Sequence, residues 1–243
     1  MGEIEYAGTD NLEVMAEAVK YNRFLVDLVY QNAPDSDVIV DFGAGIGTFA
    51  EALLMRGLKV TCIEPDRRQA QAISDRGMRV VSDIDGFNDE SIDLVYSLNV
   101  LEHIEDDESI LRSITRKLRR NGRLLIYVPA FQLLYSSMDR KVGHVRRYRR
   151  EELCRKIQAV GLSVVESRYV DSVGFFASLV YKLIGNDAGD INRVALVAYD
   201  RYLFPISRLL DNVFSRWFGK NLLVIGSRKA IDRMKLKNVS DRR

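Results

Sequence analysis

A glycine-rich turn between an apolar strand and a helix is the feature that most constrains the fold of this chain. Residues 38–40 form a β-branched run that predicts a buried strand, and residues 49–55 show the apolar spacing of a helix. Between them lie three alternating glycines: Gly43, Gly45 and Gly47. Strand, glycine turn and helix make the first half of a βαβ unit, in which a ligand approaches the backbone closely.

The spacing of these glycines indicates which class of ligand the loop binds. Dinucleotide-binding folds favour G-x-G-x-x-G, whereas here the third glycine comes one residue earlier and no Lys-Ser/Thr pair follows it. With Asp41 before the turn, the stretch resembles motif I of the class I S-adenosylmethionine (SAM)-dependent methyltransferases. The resemblance implies that this loop binds the amino-acid end and ribose of SAM. It assigns cofactor binding to Asp41, Gly43, Ala44, Gly45 and Gly47, and a plain tight turn is the alternative.

Acidic residues follow the next predicted strand. Glu64 ends the apolar run 60–63 and lies 17 residues after Gly47, near the offset of about 20 residues at which an acid accepts hydrogen bonds from ribose hydroxyls. Pro65 belongs to the same predicted cofactor segment. Asp66 has the side chain and position of a helix N-cap.

Two further segments resemble elements of the same family. An acidic residue after the third strand implies an adenine contact by Asp83, followed by the backbone of Ile84, with an ordinary turn carboxylate as the alternative. The run 97–104, Ser-Leu-Asn-Val-Leu-Glu-His-Ile, resembles the element beside the methionine end of SAM. It adds Asn99, Val100 and His103 to the predicted cofactor site. A satisfied, buried histidine is the alternative for His103, and Glu102 is expected to be a structural acceptor.

The loop after the fifth strand is predicted to hold the methyl acceptor. Residues 131–150 resemble a D-x-x-x-G-H-x-R-R-Y element found in a methyltransferase subgroup often associated with surface-glycan and natural-product pathways. A hydroxyl acceptor must lose its proton, and an imidazole that titrates near neutral pH suits that task, so His144 is the candidate base. Asp139 is expected to hold the imidazole tautomer.

Arginines and a tyrosine beside this histidine have more than one interpretation. Arg146 and Arg147 are predicted to clamp a phosphate or carboxylate of the acceptor, and Tyr148 to orient it. A structural arginine–carboxylate network and an RNA contact are the alternatives. The loop lacks the interleaved aromatic residues of a single-strand binder, so nucleic acid is not the expected partner.

A long segment separates the last two predicted strands, 162–170 and 222–227. Apolar residues recur at helical spacing from residue 195 to 217, interrupted by Pro205, which should kink or divide the helix. This insertion is predicted to pack on the domain, close over the acceptor, form a homodimer face or lie on a membrane surface. Arg201, Arg208 and Arg216 would suit lipid headgroups.

Composition sets the remaining expectations. The 243 residues suit one α/β domain with an elaboration, and a net charge of +2 does not demand nucleic acid. Cys62 and Cys154 suggest reduced thiols in the cytoplasm, and their spacing fits no metal site. No apolar stretch reaches the roughly 18 residues of a membrane span.

The sequence therefore predicts a Rossmann-like, doubly wound α/β fold with a seven-stranded, mostly parallel sheet and a helical insertion between strands 6 and 7. Residues 1–170 and 221–230 would form the SAM-binding domain, 171–220 the insertion and 231–243 a basic flexible tail. The expected activity is methyl transfer from SAM to an oxygen, or secondarily a nitrogen, of a small-molecule, glycan-type or lipid-linked acceptor. The alternatives are a noncatalytic scaffold that binds a membrane or protein, and an NAD-dependent oxidoreductase. No metal is expected.

Overall fold

Seven strands form one sheet in the computed structural model, which describes residues 14–33, 38–184 and 192–229. They are β1 (Ile39–Phe42), β2 (Val60–Ile63), β3 (Arg79–Val81), β4 (Ile92–Leu98), β5 (Leu118–Pro129), β6 (Leu162–Val170) and β7 (Asn221–Arg228). Their order is β3-β2-β1-β4-β5-β7-β6, and β7 runs antiparallel to β5 and β6 while the other pairs are parallel. The predicted Rossmann-like, mostly parallel sheet is confirmed.

Helices cover both faces of the sheet. The main domain contains α1 (Val19–Asn32), α2 (Thr48–Leu54), α3 (Arg67–Asp75), α4 (Asp107–Lys117), α5 (Ser137–Val142) and α6 (Arg150–Ala159). Val40 and Val95 belong to one buried apolar cluster, whereas Ile39 and Leu94 belong to another. Because successive residues of a strand point to opposite faces, two apolar layers bury the sheet on both sides.

The insertion between β6 and β7 is helical. It comprises α7 (Ser172–Ile184), α8 (Arg193–Ala198) and α9 (Phe204–Phe214), with a π-helical turn, Tyr199–Leu203, joining the last two. Pro205 lies in the first turn of α9, directly after the π-helical turn, and the backbone stays helical from α8 through α9. The predicted helix is therefore interrupted by a change in hydrogen-bond pattern and not by a break. No helix within the described ranges combines the length and apolarity needed to cross a membrane. The predicted tail, 231–243, lies outside these ranges.

Two buried carboxylates fix the position of the insertion, one by binding α1 of the main domain and one by binding the beginning of the insertion itself. Asp200 accepts hydrogen bonds from the backbone N–H groups of Lys20 (2.9 Å) and Tyr21 (2.8 Å), at the beginning of α1. Asp211 accepts from the N–H groups of Asp171 (3.0 Å) and Ser172 (2.9 Å), where β6 passes into α7. The insertion therefore packs on the domain through helix-capping contacts between segments distant in sequence.

Two predicted element boundaries need correction. The predicted N-terminal helix over residues 11–30 is interrupted before Val19, where α1 begins, and its first residues lie outside the described ranges. The C-cap predicted at residues 121–122 is wrong, because α4 ends at Lys117 and β5 follows directly. Asn121 has a φ of 62° within an irregular part of β5, where its pairing with β4 shifts register. Asn tolerates the left-handed conformation in both settings, so the residue type alone could not distinguish them.

Candidate active site

The glycine loop lies at the carboxyl edge of the sheet, between β1 and α2. Gly43 has a φ of +78°, and a Cβ there would lie 2.5 Å from Val100 Cγ1. Only glycine meets both conditions, because a side chain would be strained by the backbone and would overlap Val100. The loops after β1 and β4 thus touch and together form the cradle predicted to hold the cofactor. Gly45 and Gly47 also have positive φ angles.

Glu64 projects from the end of β2 into this loop. Its carboxylate accepts hydrogen bonds from the N–H groups of Gly45 (2.8 Å) and Asp66 (2.9 Å), and burial raises its pKa above the ordinary value. Asp66 accepts from the N–H groups of Arg68 and Gln69, which confirms its predicted role as the N-cap of α3. A buried carboxylate beside a loop of backbone N–H groups fits the ribose hydroxyls and amino-acid end of SAM.

The other predicted cofactor residues occupy distinct environments. Asp41 is buried within β1 beside Tyr96, and desolvation raises its pKa to about 7. Asp83 caps a 3₁₀ turn, Ile84–Gly86, and accepts hydrogen bonds from the N–H groups of Asp85 and Gly86. Within this segment Ile84 is buried, whereas Pro65, next to Glu64, is exposed. The turn-carboxylate interpretation of Asp83 therefore describes its present contacts, and its adenine contact stays a prediction.

Helix α1 approaches the same edge of the sheet. Asn99, just after β4, has a φ of 57° and donates its backbone N–H to Tyr127 in β5 (2.8 Å). The Tyr21 hydroxyl contacts the side chains of Asn99 and Tyr127, and burial raises the pKa of Tyr21 to about 12. Its ring packs edge-on against Phe204 at 5.5 Å. Helix α1 and the insertion consequently meet above the strand ends.

His144 and Asp139 form a close pair in the loop after β5. The distance between His144 Nδ1 and Asp139 Oδ1 is 2.7 Å, and Asp139 is completely buried. The carboxylate of Asp139 also accepts the N–H of Ser136 at 2.8 Å. With the Nδ1 proton directed at Asp139, the second ring nitrogen of His144, Nε2, has the lone pair of the neutral imidazole. The predicted contact between Asp139 and His144 is present.

The neighbouring arginines and tyrosine do not have the roles predicted for them. The Arg147 side chain is only 2% exposed and binds Asp139 through Nε (2.8 Å) and Nη2 (2.9 Å). Tyr148 is completely buried and donates its hydroxyl to Asp107 (2.7 Å), which also pairs with Arg146 (3.1 Å). The assignments of Arg147 as a clamp and Tyr148 as an orienting group for the acceptor are therefore corrected. Both belong to the structural arginine–carboxylate network.

Glu102 is a site residue whose surroundings the sequence did not reveal. Its side chain has no exposed surface, and no other described residue donates a hydrogen bond to either carboxylate oxygen. Burial raises its pKa to about 8. Glu102 Oε1 lies 3.7 Å from His144 Nε2, and the His103 and His144 rings meet edge-on with centroids 4.7 Å apart. The expectation that Glu102 is a structural acceptor is wrong for its side chain.

His103 is half-buried, whereas the alternative interpretation expected a buried histidine. Desolvation, followed by the proximity of His144, lowers the pKa of His103 to about 4. A backbone hydrogen bond with Gly143 orients its ring. The residue lies in the 3₁₀ turn Leu101–His103, immediately after Val100, and therefore borders both the cofactor cradle and the loop that contains His144. A direct contact with SAM stays a prediction.

The strand order, the glycine loop after β1 and the acid at the end of β2 define a class I SAM-dependent methyltransferase fold. The sequence matches the family described as "Methyltransferase domain" over residues 15–167, and the chain belongs to this family. The chain thus contains a methyltransferase domain of the SAM-dependent class, the family whose cofactor is SAM. This family membership argues against the NAD-dependent oxidoreductase.

Known proteins share parts of the sequence and the fold. The chain is 26% identical over 188 residues to the C-methyltransferase NovU of Streptomyces niveus, a match that covers 71% of this chain and 43% of NovU. It spans less than half the length of the curated relatives it matches.

Two solved structures show the same architecture. A SAM-dependent methyltransferase of Thermotoga maritima, a possible histamine N-methyltransferase, has a TM-score of 0.59 at 17% identity, over 91% of this chain and 96% of that one. The geranyl diphosphate C-methyltransferase of Streptomyces coelicolor A3(2), solved with Mg²⁺, geranyl diphosphate and S-adenosyl-L-homocysteine, has a TM-score of 0.60 at 15% identity, over 89% and 82%. At these identities the likeness concerns the fold alone.

Proposed function

We propose that the enzyme transfers the methyl group of SAM to an oxygen atom of a small-molecule, glycan-type or lipid-linked acceptor bound beside His144. The observation that supports this most strongly is the His144–Asp139 pair, in a loop that leaves the same sheet edge as the cofactor cradle. SAM supplies an electrophilic methyl group on its sulfonium. Glu64 and the glycine loop hold the cofactor so that the methyl group faces the acceptor.

In this arrangement, His144 takes up the proton of the acceptor hydroxyl. His144 Nε2 accepts the proton while the acceptor oxygen forms its bond to the methyl group, and the carbon–sulfur bond breaks. Asp139, fully buried and bound to Nδ1, stabilises the imidazolium that results. S-adenosyl-L-homocysteine and the methylated acceptor are the products. The remaining rate enhancement comes from holding the acceptor oxygen in line with the carbon–sulfur bond. The thioether is a good leaving group, so its departure needs no further chemical help.

Carbon is the second candidate for the atom that receives the methyl group. The match to the C-methyltransferase NovU over 71% of this chain favours it. The same histidine would then remove a proton from carbon next to a carbonyl group. Oxygen and carbon products differ in acid lability and in their NMR spectra, so characterisation of the product distinguishes the two.

The test compares His144→Ala with Glu64→Ala. Calorimetric titration with S-adenosyl-L-homocysteine reports cofactor binding, and formation of that product from SAM reports turnover with a panel of phenolic, sugar-nucleotide and polyprenol-linked acceptors. We expect His144→Ala to lower turnover roughly 10²–10⁴-fold and to leave cofactor affinity within twofold. We expect Glu64→Ala to weaken cofactor binding at least about tenfold, because it removes a charged hydrogen-bond acceptor. Undiminished turnover in His144→Ala would remove this residue as the base.

A further inference from the structure

We propose that Glu102, His103 and His144 bind a divalent transition-metal ion of the zinc class. One carboxylate oxygen and two imidazole nitrogens, one from each residue, all lie within 4.8 Å of one another. Two histidines and one glutamate are a ligand set of catalytic zinc sites, in which a fourth position stays open for water or substrate. Zinc bonds of about 2.0–2.2 Å place ligand atoms about 3.3 Å apart, so small side-chain rotations complete the site.

Glu102 is the observation that points to a ligand. A carboxylate without exposed surface and without a donor from any other described residue is costly to bury. The nearby positive charge of Arg147 favours the carboxylate of Glu102, but its guanidinium forms two hydrogen bonds with Asp139 and none with Glu102. Glu102 Oε1 instead faces His144 Nε2 at 3.7 Å. A cation between these two atoms would supply the partner that the carboxylate lacks.

Both histidines are oriented as metal ligands usually are. A metal-binding imidazole almost always donates its other N–H to a carboxylate or a backbone carbonyl, which fixes the tautomer and the ring plane. His144 directs Nδ1 to Asp139 at 2.7 Å, and His103 has a backbone hydrogen bond with Gly143. Each ring therefore already has the second contact that such a site needs.

The main chain holds the two contributing segments together. Glu102 and His103 lie in the 3₁₀ turn after β4, whereas His144 follows α5, about 40 residues later. The N–H of Val145 donates to the carbonyl of Glu102 at 2.9 Å, directly beside all three side chains. The ligand set is thus positioned by the backbone. Two imidazole donors favour zinc-class ions over Mg²⁺, which prefers oxygen.

Metal binding would also change the chemistry of the proposed acceptor site. One nitrogen cannot coordinate a metal and accept a proton at the same time, so His144 acts as a base only in the metal-free enzyme. In the metal-bound enzyme, a hydroxyl at the open coordination position would lose its proton more readily than a free alcohol. The metal proposal itself does not rest on methyl transfer, because binding is measured without an acceptor.

The experiment uses untagged, chelator-treated protein that comprises residues 1–243. Calorimetry with Zn²⁺ reports affinity and stoichiometry, and the visible bands of tetrahedral Co²⁺ report the ligand geometry. We expect one ion per chain, no displacement by Mg²⁺, and a loss of affinity of about 10–100-fold or more in Glu102→Gln and in His103→Ala. Glu105→Gln, an exposed acid three residues from Glu102, is the control and should bind as the wild type does. The chain has only two histidines, so no other imidazole can account for the binding.

Folding and cofactor binding are measured on the same samples. Glu102→Gln should melt at or above the wild-type temperature without metal, since it replaces a buried, unpaired carboxyl group. A wild type that binds S-adenosyl-L-homocysteine but no Zn²⁺ would overturn the metal site and leave the proposed function standing. Zinc affinity unchanged in folded Glu102→Gln would overturn it as well. Zinc binding without cofactor binding would contradict the proposed function alone.

Discussion

A carboxyl group inside a sheet strand makes the stability of this protein depend on pH. Asp41 is 2% exposed, and desolvation, with a further contribution from Glu64, raises its pKa from 3.8 to about 7, against a lowering effect of Tyr96. In the unfolded chain its pKa returns to about 3.9. The folded state therefore holds the proton more tightly, and this stabilisation is present below about pH 4 and lost as the pH rises to about 7.

Asp41→Asn removes this dependence because the amide is neutral at every pH. From pH 5 to pH 8, we expect the wild type to lose about 3 kcal/mol of unfolding free energy relative to the variant. Denaturant titrations at the two pH values measure it. Asp75→Asn, an exposed substitution at the end of α3, is the control and should show the same small difference at both. A constant difference for Asp41→Asn would contradict the argument.

For single residues, the sequence predicted the chemical character of a position better than it predicted which residues the side chain contacts. Glu64 and Asp66 follow strand ends, so their positions at the sheet edge were predictable from the pattern of apolar runs. Arg147 and Tyr148 share a basic loop with His144, yet their side chains turn into the interior. That burial depends on Asp139 and Asp107, contributed by α5 and α4, and local charge spacing contains no information about such tertiary contacts.

Among the elements, α1 depends on a cap from the opposite end of the chain. No side chain of its own caps its first turn, and Asp200 accepts the N–H groups of Lys20 and Tyr21 instead. We expect Asp200→Ala to cost about 2 kcal/mol, which corresponds to a melting temperature lower by about 4–8 °C for a chain of this size. Differential scanning fluorimetry measures the change.

Asp27→Ala is the matched control for this cap. It removes an aspartate from the same helix, but one whose side chain is 43% exposed and paired with Arg56 at the surface. Such a pair contributes less than about 1 kcal/mol, so the melting temperature should fall by no more than about 2–4 °C. Equal shifts in the two variants would show that Asp200 does not stabilise α1 in the manner argued.

Element types were more predictable than element ends. The strand 162–170 was predicted with its observed bounds, because β-branched residues and the following polar break mark it clearly. The helix end predicted at Asn121 is wrong because asparagine, which often ends helices, also suits an irregular strand. The capping of α1 by Asp200 was not predictable, since it joins residues about 180 positions apart.

At the scale of the whole molecule, the insertion exposes an apolar surface. Tyr202, Ile206, Leu209, Val213 and Trp217 form an apolar stripe, with 50–70% of each side chain exposed. Helical spacing places the first four on one side of α9 and its preceding turn, and Trp217 lies in the turn after α9. Arg201 and Arg216 are exposed near the ends of the stripe, whereas Arg208 is engaged with Asp211 and stacks over Phe24 at 4.0 Å. Its predicted role toward lipid headgroups is corrected.

An apolar stripe with cationic ends complements an anionic lipid surface, and we expect the protein to bind one. Cosedimentation with phosphatidylglycerol-containing vesicles should exceed that with phosphatidylcholine alone. The double substitution Leu209→Glu and Val213→Glu should reduce the bound fraction at least about tenfold, since it removes two apolar side chains and adds two negative charges. Val165→Glu, exposed on β6 outside the stripe, should bind as the wild type does. A wild type that ignores vesicles and elutes as a dimer, which the double substitution dissociates, would make this face a contact between two copies of the chain.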